Sequence, residues 1–132
     1  MKKAELLREL SEHTYVKIAP SRVEGIGVFA IVPISKGVRG IFSKDKSEWI
    51  KVTKAEVDNL PVHAKHLVEN FCLYDDEHYF VPEYGFKMID LVIFLNHSDQ
   101  PNLRSINDGE DFETLRDIEE GEELFLDYGS IV

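Results

Sequence analysis

"FLNHSDQPN", Phe94 to Asn102, follows the apolar run "DLVIFL" and breaks it with seven polar or turn-forming residues in succession. A surface loop accounts for the polarity, but not for the choice of side chains. Asn96 brings an amide that donates and accepts, His97 a ring with two unlike nitrogens, and Pro101 narrows the freedom of the loop just before Asn102. Such a loop, held by its own side-chain bonds, can present backbone amides and carbonyls to the polar ends of a ligand. The plainer alternative is that Asn96 and Ser98 only satisfy the backbone of a buried turn.

Working outward, "MIDLVIFL" is apolar enough for a buried helix or a buried strand, and its periodicity does not choose between them. Downstream, "LRSI", "DFETLRDI" and "ELFLDY" read as strands joined by the turns "NDG" and "EEGE". Upstream, "YFVPE" and "WIKV" are strand-like, and "DDEH" turns the chain. Between them, Thr53 with Glu56 forms a capping box, and Pro61 suits the start of a second helix with Ala64, Leu67, Val68 and Phe71 on one face. "YVKIA" and "GVFAIV" are strands around the turn-rich "PSRVEGIG". At the start, Ala4, Leu6, Leu7 and Leu10 give a short amphipathic helix expected either to pack on the body of the domain or, being shorter than a stable isolated helix, to fray.

The chain has 132 residues, 43% of them hydrophobic, which suits one domain with one core. Fifteen basic residues stand against 25 acidic ones, a formal net charge of -10. That balance disfavours direct nucleic-acid binding and favours a basic partner, although a plain acidic surface would look the same. The single cysteine, Cys72, excludes an intrachain disulfide and suits a reducing compartment. Without a long apolar stretch, no signal peptide or membrane span is expected, so the protein is read as soluble and intracellular, cytoplasmic or nuclear. His63, His66, Cys72 and His78 lack the paired spacing of a structural zinc site, and no metal is expected. "NDGED" lacks the closing glutamate of a calcium loop.

"GIG" at Gly25 to Gly27 is a weak signal alone. It fits a bulge or tight turn as well as a ligand loop, and it lacks the third glycine and following helix of a dinucleotide fingerprint. Tyr128 in "GEELFLDYG" is read either as a structural corner, its hydroxyl on a backbone carbonyl, or as a hydroxyl aimed into a narrow pocket. Taken together and in order, Gly-x-Gly with "VFA", then "NHSxxPN", then "GEELxxDYG" resemble a SET domain, the fold of one large class of protein lysine methyltransferases. The similarity runs from about Val16 to Gly129 and includes "SKG" after the first motif.

The resemblance implies a mostly β fold of the β-clip type: several small sheets, a short helical insert and a knot-like active site near the C-terminal end. A single domain over 1–132 is expected, with a helix over 1–12, a variable insert over about 53–85 and no segment after the SET domain. It further implies S-adenosylmethionine as cofactor, held by Glu24, Gly25, Ile26 and Gly27 on one side and by Asn96 and His97 on the other. Tyr128 matches the catalytic tyrosine, placed between the methyl sulfonium and the lysine amine. With a reference pKa near 10, roughly 0.1% of it would be ionised at neutral pH, so its expected role is to orient the amine and not to act as a base.

Tyr79, Tyr84 and Leu126, with Phe80 nearby, are candidates for the substrate channel, and core packing serves those aromatics equally well. Two positions depart from the family pattern: Ile93 stands where many members have an arginine, and Leu126 where Phe or Tyr is common. The first implies either weaker cofactor affinity or compensation by another residue such as Lys36 or Arg22. With no zinc segment or helix after Gly129, the channel is expected to be closed by a second subunit in a symmetric homodimer, by the N-terminal helix or by the substrate. The expected substrate is a lysine-containing basic protein or peptide, a histone or another. The rival expectation is a catalytically inactive SET-like module that binds a basic peptide.

Overall fold

In chain order the elements are α1 (Lys3–Glu12), β1 (Val16–Pro20), β2 (Ile26–Ala30), β3 (Trp49–Thr53), α2 (Lys54–Asp58), α3 (Val62–Phe71), β4 (Leu73–Tyr74) and β5 (His78–Pro82). A 3-10 turn at Leu91–Phe94 then leads to β6 (Asn96–His97), β7 (Leu103–Ile106), β8 (Asp111–Thr114), β9 (Glu123–Leu126) and a last 3-10 turn, Tyr128–Ser130. The computed structural model describes residues 3–42, 49–83, 85–86 and 90–131. The fold is mostly β, built from small sheets with few helices, as the sequence predicts.

The larger sheet runs β1-β2-β9-β7-β8, with β6 also paired to β9. Its strands alternate as half-buried strands do: Leu124 and Leu126 of β9, Phe112 and Thr114 of β8, and Leu103 and Ser105 of β7 point inward. β9 is the crossing point. It lies antiparallel to β2 through Val28↔Leu124, and parallel to both β6 (Asn96↔Phe125, His97↔Leu126) and β7 (Leu103↔Leu126). Segments distant in sequence therefore share one backbone.

β3, β5 and β4 form a second, three-stranded antiparallel sheet. Its Leu73 and Phe80 join the main core with Val28, Leu95, Leu103, Phe112, Leu124 and Leu126. Its other face carries α2 and α3 over a smaller cluster, in which Val57, Val68 and Cys72 are buried and Val52, Tyr79 and Val81 pack against them. The β7–β8 turn ties the two sheets together. Asn107 and Asp108 adopt φ of 53° and 56°, values that short polar side chains tolerate, and Gly109 follows at 82°. This brings the Gly109 carbonyl to the Trp49 indole, whose Nε1 donates to it at 2.6 Å, while Lys51 pairs with Asp108 at 3.2 Å.

The capping box is present: Thr53 Oγ1 accepts from Glu56 N–H, and the Glu56 carboxylate accepts from Thr53 N–H. Three expectations need correction. α1 forms but buries no residue, and Leu6, Leu7 and Leu10 remain exposed, so it does not pack on the body of the domain. On α3 only Val68 is fully buried and Ala64 half-buried; Leu67 and Phe71 are exposed, Phe71 meeting Phe94 edge to face at 6.4 Å. The run before the opening motif is neither α-helix nor strand where described. It is the 3-10 turn, started by Asp90, whose side chain accepts from Val92 N–H at 3.0 Å. No described helix is long and apolar enough to cross a membrane.

Candidate active site at the β9 crossing

Asn102 shows how the opening loop is fixed. Its side-chain amide lies against β9 like a peptide group of a neighbouring strand: Nδ2 donates to Glu123 O at 2.8 Å and Oδ1 accepts from Phe125 N–H at 2.7 Å. Its own N–H donates to Phe125 O at 3.2 Å. With the residue only 2% exposed, these bonds are shielded from water and hard to replace. At the other end of the loop Ser98 N–H donates to Leu126 O at 3.1 Å, and Ser98 Oγ accepts from Gln100 N–H at 3.0 Å.

Asn96 reaches the other way. Its Nδ2 donates to Glu123 Oε2 at 2.8 Å, to Glu24 O at 3.0 Å and, more weakly, to Ile26 O at 3.4 Å. Glu123 completes the latch by accepting from Ser21 Oγ–H at 2.7 Å. Gly27 is required by this arrangement, since a Cβ there would lie 2.3 Å from Glu123 Oε2 and 3.2 Å from Asn96 Nδ2. Gly25 is needed for a different reason: its φ of 42° turns the exposed Glu24–Ile26 segment. The sequence thus brings Gly25–Gly27 and Asn96 together through Glu123, which the motif reading did not single out.

His97 and Tyr128 form the second half. Tyr128 N–H donates to His97 Nδ1 at 3.1 Å, so the neutral ring carries its proton on Nε2, which faces Asp99 Oδ1 at 3.2 Å. The two rings meet edge to face at 5.7 Å. The Tyr128 hydroxyl donates to Leu95 O, the structural-corner bond that the sequence allowed. Burial, followed by the neighbouring Tyr74 and Cys72, pushes the Tyr128 pKa up to about 12, so the phenol stays protonated across ordinary pH.

Tyr74 is the aromatic that sequence reasoning missed. Its exposed ring stands edge to face with Tyr128 at 5.4 Å and near Tyr79 at 6.1 Å. The signal was the "DDEH" turn: Tyr74 and Tyr79 flank it and pair across β4 and β5. Of the channel candidates, Tyr79 is half-buried against the smaller cluster and meets Tyr128 only through Tyr74. Leu126 is 0% exposed and Phe80 2%, both in the main core, so their side chains line no open wall. Tyr84 lies outside the described residues. His63 and His66 are exposed on α3, whereas Cys72 is buried, and burial raises its thiol pKa to about 12.

No curated protein matches the sequence. Among solved structures, a proposed histone methyltransferase of Plasmodium falciparum is similar at a TM-score of 0.54 and 20% identity, over 89% of this chain and 95% of that one. The likeness extends to the fold. The SET-domain family model matches residues 25–129, from the glycine loop through β9 to Gly129, and the chain belongs to the SET-domain family.

Proposed function

We propose that the protein is a protein-lysine N-methyltransferase that uses S-adenosylmethionine and acts on a lysine of a basic protein, such as a histone. The observation that carries this reading is the convergence at β9 of the Gly25–Gly27 loop, the Asn96–His97 pair and Tyr128. The family assignment and the name of the Plasmodium neighbour support it. The residues suit a zwitterionic cofactor. Asn96 Oδ1 accepts nothing from the described residues and is free to take an ammonium hydrogen, and the exposed Glu24–Ile26 backbone and His97 ring lie beside it. The cofactor would supply a methyl group made electrophilic by its sulfonium.

The protein's part is then positioning. A hydroxyl that donates to Leu95 O keeps its lone pairs, so Tyr128 can accept an N–H from the incoming lysine and aim the amine's own lone pair. Since Tyr128 stays protonated, it is not the base; the lysine, with a reference pKa of about 10.4, loses its proton through desolvation in the site. The net charge of -10 draws basic substrates. Closure of the channel by a second copy, and a knot-like passage of the chain end beside the Asn96–Ser98 loop, belong to the same proposal.

The test is incubation with labelled S-adenosylmethionine and a mixture of basic proteins, read by mass spectrometry. Labelled lysines are expected. Tyr128→Phe should keep the fold and cofactor binding but lose most transfer; near wild-type activity would overturn its role. Ile93, in the place of an arginine, favours the second reading, a module that binds a basic peptide without catalysis. In that case peptide binding would persist while the cofactor does not bind.

A further inference from the structure

A positively charged side chain of the protein itself sits one aromatic ring away from Tyr128. Lys54, the first residue of α2, is exposed, and its Nζ lies over the Tyr74 ring at 5.9 Å from the centroid. Tyr74 in turn meets Tyr128 edge to face at 5.4 Å. The neighbouring lysines are used differently: Lys51 pairs with Asp108 and Lys65 with Asp58, each at 3.2 Å. Among the described residues no carboxylate lies within ion-pair distance of Lys54. The backbone keeps it there, because Lys54 N–H donates to Glu77 O at 3.1 Å and the Thr53 cap fixes the start of α2.

We propose that Lys54 is a self-methylation site, its amine passing from the face of Tyr74 to Tyr128 along its flexible stem. The proposal rests on the methyltransferase reading above. In the step, the Lys54 ammonium releases a proton to water, the amine lone pair forms the N–C bond to the donor's methyl carbon, and the C–S bond breaks with its electron pair going to sulfur. The sulfonium becomes a neutral thioether and Lys54 regains a positive charge. That charge, with a methyl group added, still suits the aromatic face.

The experiment incubates the full chain with S-adenosylmethionine, with and without a lysine-rich peptide, and maps methyl groups by peptide mass spectrometry. Methylation at Lys54 is expected with no added substrate, at least tenfold above Lys51 and Lys65. It should be lost in Tyr128→Phe and fall about fivefold or more in Tyr74→Leu, while Lys54→Arg still methylates the peptide. A methylated peptide with unmodified Lys54 overturns the inference and leaves the methyltransferase reading standing. Equal labelling of all lysines, or labelling that survives Tyr128→Phe, overturns it as uncatalysed alkylation. Methylation of neither peptide nor protein overturns both proposals.

Discussion

The β9 crossing and the α2–α3 layer are built by opposite means. At the crossing, polar side chains replace backbone: Asn102 fills a strand position, Glu123 and Asn96 clasp the glycine loop, and Leu124 and Leu126 beneath them are 0% exposed. The helical layer rests on a capping box and three buried residues, Val57, Val68 and Cys72, with Leu67 and Phe71 left at the surface. The contrast teaches that this chain concentrates its shielded side-chain hydrogen bonds at the candidate site, and holds the helical layer beside it with fewer buried groups.

The sharpest way to break that contrast is Asn102→Ala. It leaves Phe125 N–H and Glu123 C=O without their partners in a partly buried setting, an expected loss of about 2–4 kcal/mol by denaturant unfolding. Gly27→Ala comes next. Glu123 is pinned by Ser21 and Asn96, so it must abandon one of them, costing about 1–3 kcal/mol together with most cofactor affinity. Thr53→Ala removes only a helix cap and should cost about 1 kcal/mol, with faster amide exchange confined to α2 and its surroundings. Equal losses for Asn102→Ala and Thr53→Ala would erase the distinction.

The smallest effect separates the regions by pH. Cys72 and Tyr128 both have folded pKa values raised to about 12, from ordinary values of 9.0 and 10.0. The unfolded chain therefore releases these protons first. Their contribution is intact below pH 9 and is lost as pH rises toward about 12. Cys72→Ala should flatten the onset of that alkaline decline between pH 9 and 10, which melting temperatures across pH can follow.

Much of the fold is legible because its strands alternate and its turns carry Gly, Asn and Asp; β7, β8 and β9 need little else. The run before Asn96 is not, since a short apolar stretch fits several conformations until Asp90 caps a 3-10 turn. Asn96, His97 and Tyr128 stood out through the resemblance to the SET family, and the fold brings them together. Glu123 and Tyr74 did not, because their meaning depends on partners reached only by folding: Glu123 on Asn96 and Ser21, Tyr74 on Tyr128. Leu126 is a different case. Its place near the tyrosine suggested a channel wall, but strand alternation turns its side chain into the core.

The most direct test of the central claim is titration calorimetry of the folded protein with S-adenosylmethionine, beside Gly27→Ala. The account predicts saturable single-site binding by the wild-type chain and at least tenfold weaker binding by the variant. No binding by folded wild-type protein, even with a lysine-rich peptide present, would contradict it.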